Sequence, residues 1–253
     1  MNIRKSAERP NLLVIVVDDM GWSDIRPFGG EIDTPVLDGL ARRGVRLTNF
    51  HASPVCSTTR AMLMTGCDHH EVGMGCMVET MTPEMRGKPG YEGYLTDRVL
   101  TLAERLGEAG YHTMMSGKWH LGVVPPYRSM PADRGFHRSY ALVQGEHNHY
   151  GEDQTPETAG HEGTSQYRFD GKEVKFPRGE YSSHFFAERM IGFLEEARND
   201  PRPIFAYLPF TAPHSPLQAP PELIEKYRGV YDDGPEALRD RRLARMRELG
   251  LSV

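Results

Sequence analysis

Cysteine is scarce in this sequence. Its 253 residues hold three, Cys56, Cys67 and Cys76, an odd number with no CxxC spacing, which excludes a disulfide framework. Long apolar runs are also missing. After a short charged stretch, residues 1–10, only residues 11–17 are apolar or amide before Asp18. That is too short for a secretory hydrophobic region or a membrane span. No Asn-x-Ser/Thr sequon occurs, and the expected compartment is a reducing cytoplasm. Positive charge is not in excess: 30 Lys and Arg against 35 Asp and Glu give a formal charge of −5. Nothing in that balance attracts nucleic acid or an anionic membrane as a partner, and any anion must meet a local positive pocket. Internal repeats and low-complexity tracts are absent as well.

What is present reads as alternating strands and helices, enough for one large α/β domain or two small ones. Residues 12–17, Leu-Leu-Val-Ile-Val-Val, form a continuous, mostly β-branched run that predicts a parallel strand buried on both faces. It ends in Asp18-Asp19, where open α/β sheets bind ligands. Two adjacent carboxylates would be relieved by a cation, and oxygen ligands suit Ca²⁺ or Mg²⁺; a solvated Asp-Asp-Met-Gly turn is the plainer alternative. Thr34-Pro35 starts a helix that Gly44 ends, and residues 45–50 alternate as a second strand. The chain then reaches Cys56-Ser57-Thr58-Thr59-Arg60 and Ala61 to Gly66. A thiol here enters a helix whose N-terminus favours an anion, and Arg60, four residues on, shares its face. The pattern is an oxyanion site holding a nucleophile, or else an ordinary helix cap.

Cys67-Asp68-His69-His70 and Cys76 are zinc-ligand types at a spacing that fits no standard zinc site. Residues 73–94, rich in Gly, Met and Pro, read as a long loop walling a pocket. A helix is predicted over 96–110 and a strand over 111–116, which exits into Gly117-Lys118-Trp119-His120-Leu121-Gly122. In an extended segment Lys118 and His120 point the same way, as an anionic substrate would require. Residues 125–180 read as a loop-rich excursion with room for a small hairpin, with His147, Asn148 and His149 on its surface. A helix over 182–197 and a buried strand over 203–208 follow. That strand exits into a proline-rich loop, Pro209 to Pro216, stiff enough to hold His214 in place. A short helix over 221–227 and a charged one over 236–249 end the chain without a closing strand.

Asp18-Asp19, Cys56 with Arg60, Lys118 with His120, and His214 thus stand at strand exits or turns. This ordered set resembles the type I sulfatases of the alkaline phosphatase superfamily, the bacterial arylsulfatases in particular. Leu13 to Gly21 looks like that family's first strand and metal-binding aspartates, and Thr34 to Asp38 like its first-helix start. Cys56 to Arg60 with Met64-Thr65-Gly66 looks like the signature around its modified cysteine, and Gly117 to Gly122 and Ala212-Pro213-His214 like its later motifs. The resemblance implies an α/β fold, a mostly parallel sheet flanked by helices, of which residues 1–253 would be the N-terminal portion of the catalytic domain, incomplete at its C-terminus. It implies sulfate monoester hydrolysis, with Cys56 oxidised to formylglycine by a formylglycine-generating enzyme. The hydrated aldehyde attacks sulfur, and its second hydroxyl later expels sulfate. Ca²⁺, less readily Mg²⁺, would be held by Asp18, Asp19 and the modified Cys56. Arg60 would stabilise the modified residue, Lys118 would hold sulfate oxygens, His120 would assist the release of sulfate, and His214 would protonate the leaving oxygen.

The sequence departs from that pattern twice. Thr58 stands where the family has Pro or Ala, in the segment the modifying enzyme reads. No Asp-Asn pair occurs, and the one Asp-Gln, Asp153-Gln154, falls in the stretch read as loops rather than after a later strand, where the family completes its metal site and adds a further Lys; Asn199-Asp200 has the reverse order. Two alternatives therefore accompany the sulfatase reading: a phosphonate or phosphate ester hydrolase of the same superfamily, and a non-catalytic truncated remnant. A sheet cut after its middle strands also exposes apolar surface, which predicts self-association.

Overall fold

A computed structural model describes residues 9–122, 129–151 and 166–251. In chain order the elements are β1 (Leu12–Val16), α1 (Pro35–Arg43), α2 (Cys56–Thr65), α3 (Leu102–Glu108), β2 (His112–Lys118), β3 (Arg138–Leu142), β4 (Tyr167–Phe169), β5 (Lys172–Val174), α4 (Ser182–Glu196), β6 (Ile204–Pro209), α5 (Pro221–Lys226) and α6 (Gly234–Glu248). They fall into two compact units. One comprises Met1–Asp18 and Ser53–Gln218, the other Asp19–Ala52 and Ala219–Val253.

The first unit is built on a six-stranded sheet of order β1-β6-β2-β3-β4-β5. The strands from β1 to β3 are parallel, and β4 and β5 extend the sheet antiparallel. Side chains alternate across a strand, so a sheet covered on both faces sends successive residues into different cores. Met114 and Met115 of β2 do so, as do Phe205 and Ala206 of β6. Met115 and Phe205 pack with Ala61 and Met64 of α2, Ala103 of α3 and Trp119. Met114 and Ala206 pack with Phe186, Met190 and Phe193 of α4. The result is the predicted α/β architecture, with helices on both faces of a mostly parallel sheet.

β1 is the exception to double burial. Leu12, Val14 and Val16 pack against the first core, whereas Leu13 and Ile15 are 59% and 48% exposed. The strand pairs with β6 alone among the described strands, and its second face is uncovered. An unbroken apolar run looks the same whether one face or two is covered, so the sequence could not tell these cases apart. The 253-residue chain is expected to bind an apolar fluorescent dye and to self-associate as concentration rises. Replacing Ile15 by Lys should weaken both in a dye titration and light scattering.

Three further expectations are corrected. Residues 45–50 form no strand; Val45, Leu47 and Phe50 are exposed. The helix expected over 96–110 starts only at Leu102, because Thr101 and Glu104 close a capping box there. The segment before it is held out of the helix by Arg134, whose guanidinium donates to the carbonyls of Leu95, Thr96 and Val99. The stretch 125–180 does hold the small hairpin expected of it, β4–β5, turned on Asp170-Gly171 with φ of 47° and 80°, but it is not otherwise all loop. It also supplies β3, a parallel strand that the loop reading did not separate.

The second unit buries little apolar surface. α1 and α5 bury no residue, and α6 buries only Met246. A polar network takes the place of a core. Arg242 donates to both Glu31 oxygens, at 2.7 and 2.8 Å, and to Asp24 at 2.6 Å, while the Tyr231 hydroxyl donates to Glu31 at 2.8 Å. The Arg242 hydrogen bonds pull the Glu31 carboxyl from its ordinary 4.5 down to about 2. The unfolded chain therefore binds the proton more readily than the folded one, so this contribution is complete above pH 4.5 and is lost as pH falls towards 2. Urea midpoints should drop over that window, and Glu31→Gln should flatten the drop. No helix among the described residues is long and apolar enough to cross a membrane.

Candidate active site

Cys56 is the first residue of α2, entered from an extended Val55 that offers no side-chain cap. The helix entry is tied instead by Thr58, which donates to the Val55 carbonyl at 2.9 Å, and by Thr59, which donates to that of Ser53 at 2.8 Å. Ser57, Thr58 and Arg60 are buried with Ala61 and Met64, so the first turn carries polar groups inward. The ordinary-cap reading of this segment does not hold, because no side chain caps the helix.

At the end of β2 the chain turns abruptly. Lys118 is the last strand residue, and His120 stands at φ 56°, in the left-handed region. The two side chains are buried, though not by the alternation of an extended segment. Lys118 Nζ donates to Asp18 Oδ2, and Arg60 Nη2 lies 3.5 Å from the same oxygen. Arg60 Nη1 donates to the Lys118 carbonyl at 2.9 Å. Two cationic side chains thus share one buried carboxylate, leaving a local excess of positive charge that suits an anion.

The sulfur of Cys56 lies 3.3 Å from His120 Nδ1. Burial raises the thiol pKa, but the His120 hydrogen bond and the charges of His120 and Lys118 pull it further the other way, so it ends below its ordinary value. Burial lowers that of His120, but its contacts with Cys56 and Glu79 outweigh this and raise it. Gly145 sits against the ring: a Cβ there would come within 2.6 Å of His120 Cε1, so only glycine lets the imidazole lie so close to the backbone. The strand ends therefore bring together Asp18, Cys56, Arg60, Lys118 and His120.

His214 stands apart from that group in its bonding. Its Nδ1 donates to the Ser215 carbonyl at 2.8 Å and lies 4.0 Å from Glu146. Its own carbonyl accepts from His149 Nε2 at 3.0 Å. The loop carries cis peptides at Ala212-Pro213 and Ser215-Pro216. His147, Asn148 and His149, read from sequence as surface, are all buried. Burial and the charges of His149, Lys118 and His214 hold His147 neutral, well below its ordinary range.

As a metal site this strand end is incomplete. Asp18 Oδ2 is already occupied by Lys118 and Arg60, and Asp19, at φ 59°, begins the second unit. Among the described residues, the cluster with three ligand atoms within 4.8 Å of one another is Asp68, His69 and His70. These groups already bond to one another and to their neighbours: His69 Nδ1 donates to the Met74 carbonyl at 3.0 Å, and His70 bonds Asp68 at 3.1 Å and Tyr91 at 3.3 Å. Cys67 and Cys76 are free thiols outside that cluster. The residues present do not by themselves enclose Ca²⁺ or Zn²⁺.

The sulfatase family model matches residues 10–250. An uncharacterised sulfatase of Schizosaccharomyces pombe is 49% identical over 99% of this chain and 46% of its own length. An arylsulfatase of Klebsiella aerogenes is 44% identical over 96% of this chain and 51% of its own. The chain thus spans about half the length of these curated relatives. Among solved structures, Ps i-CgsB superposes with a TM-score of 0.73 at 28% identity, covering 96% of this chain and 55% of that one.

Proposed function

This chain belongs to the sulfatase family, and from that premise we propose that it supplies the nucleophile-bearing half of a sulfuric ester hydrolase acting on aryl sulfate monoesters. The observation that carries the reading is the Cys56–His120 contact of 3.3 Å beside buried Lys118 and Arg60. Conversion of Cys56 to formylglycine by a modifying enzyme would supply a geminal diol, whose two hydroxyls allow attack on sulfur and then release of sulfate. This chain's own residues do the rest. Lys118 and Arg60 hold sulfate oxygens and balance the charge that grows on them. His120 takes the proton from the side chain at position 56 through Nδ1. His214, on its proline-rich loop, is assigned to the leaving oxygen. Asp18 and Asp19, with the modified Cys56, are proposed as this chain's share of a divalent-metal site, of which Ca²⁺ is the proposed occupant. The proposed setting is cytoplasmic, with neither nucleic acid nor membrane as partner.

The test is a direct comparison of an aryl sulfate with the matching aryl phosphonate, using the enzyme in its full length. Sulfate turnover should exceed phosphonate turnover at equal concentration. A strong phosphonate preference would move the chain to the superfamily's phosphonate hydrolases. No turnover of either by the full-length, modified enzyme would leave the non-catalytic reading.

A further inference from the structure

Glu79 has no role in the reaction as described, yet it faces its centre. It lies on a single 3-10 turn, Val78–Thr80, within the aperiodic stretch 73–94. Its carboxylate oxygens are 3.2 and 3.4 Å from His120 Nε2. The other ring nitrogen, Nδ1, is the one 3.3 Å from the Cys56 sulfur. The imidazole is therefore bracketed, with a carboxylate on one nitrogen and the nucleophile position on the other.

Several features fix where the ring lies. Its backbone is held at φ 56°, the His120 N–H donates to the Val143 carbonyl at 3.2 Å, and Gly145 packs closely against the ring. None of these distinguishes the two nitrogens. Glu79 does, because an ionised carboxylate can only accept hydrogen bonds. The proton of a neutral imidazole then belongs on Nε2, and Nδ1 presents its lone pair to residue 56. Glu79 stays ionised in this position: burial raises its pKa, but the His120 hydrogen bond and charge lower it further, leaving it below the ordinary value.

We infer that Glu79 is a positioning residue: by accepting from His120 Nε2–H it fixes the tautomer and orientation that aim Nδ1 at the side chain of residue 56. The inference rests on the proposed reaction only for what Nδ1 acts upon; the tautomer is a property of the folded chain. The arrangement repeats the logic of nucleophile, imidazole and orienting carboxylate seen wherever a histidine base must keep one nitrogen free.

The tautomer can be read without any turnover, so failure of this inference is distinguishable from failure of the sulfatase reading. The sample is the full-length enzyme carrying Cys56→Ser, which places a neutral hydroxyl opposite Nδ1. Long-range proton–nitrogen correlation spectra are recorded at rising pH until the His120 signals stop shifting, so that the neutral imidazole is read, and His120 is assigned by its loss in His120→Gln. The expected result is a protonated Nε2 and an unprotonated Nδ1. Adding Glu79→Ala should move part or all of the Nδ1 signal into the protonated range, and Glu79→Gln, whose amide oxygen can still accept, should restore the first pattern. The buried His147 and His149 signals report whether each variant is folded. A protonated Nδ1 in the Glu79-containing chain overturns the inference, and so does an unchanged tautomer in a folded Glu79→Ala chain. Should Glu79→Ala fail to fold, the Glu79-containing spectrum decides alone.

Discussion

Turnover of an aryl sulfate by the full-length enzyme is expected to fall by a factor of about 10³ or more when Cys56 is replaced by alanine, as for other nucleophiles that work as a unit with their base. The side chain at position 56 lies next to an imidazole nitrogen and within reach of the Lys118 and Asp18 charges. Alanine removes the attacking atom and leaves Lys118, Arg60 and His120 in place, so substrate binding should change far less than kcat. Cys56→Ser separates attack from release. A lone hydroxyl can accept the sulfuryl group once but lacks the second hydroxyl that would expel sulfate. The serine variant should therefore show at most a single turnover, and the peptide containing position 56 should gain the mass of a sulfate ester. If Cys56→Ala kept more than about a tenth of wild-type turnover, the nucleophile would lie elsewhere and the proposed mechanism would be wrong. Neither change should lower stability much, since the thiol is only partly buried and its hydrogen bond is weak.

Lys118→Ala should have the largest effect on stability. Lys118 has 0% and Asp18 6% side-chain exposure, and the two are in direct contact. Removing one member of a buried ion pair strands the other charge away from water, which typically costs about 3–5 kcal/mol. Arg60, 3.5 Å from the same oxygen, should keep the cost towards the lower end of that range. Lys118→Met keeps the volume but not the charge and should be nearly as damaging. Adding Asp18→Asn to Lys118→Met should recover part of the loss, because the stranded charge is then gone. Urea unfolding followed by the fluorescence of Trp119, buried next to Lys118, checks all three. Equal stabilities for Lys118→Met with and without Asp18→Asn would show that the ion pair does not control the effect.

The sequence made the strand exits legible for a physical reason. A run such as Leu12 to Val17 cannot continue into Asp18-Asp19 without leaving the core, and the same holds where β2 meets Lys118 and β6 meets its prolines. Polar groups at those breaks had to collect at one end of a parallel sheet. What pattern could not supply was anything set by distant chain. Which face of β1 is covered depends on its neighbours, and the late start of α3 depends on the Thr101–Glu104 box and on Arg134, more than thirty residues away for most of its partners. The burial of His147, Asn148 and His149 follows from partners such as Tyr167, Ser182 and Gln218. Glu79 was invisible for the same reason: it sits in a stretch without periodicity, and only the approach of His120, 41 residues on, gives it meaning. His214 was placed by its strand exit, but its hydrogen bonds to Ser215 and His149 could not be read from the Pro-rich loop alone.

The backbone at His120 and Asp19 has a consequence for how such a sequence drifts. Both adopt positive φ, 56° and 59°, a left-handed region that β-branched and bulky apolar side chains rarely enter and that glycine, asparagine, aspartate and histidine enter more readily. The backbone thus narrows the choice of residue at these two positions before chemistry selects within it. Copies of the gene kept only for a stable fold should drift there among Gly, Asn, Asp and His rather than freely. A copy with glycine or asparagine at 120 would have kept the turn and lost the imidazole.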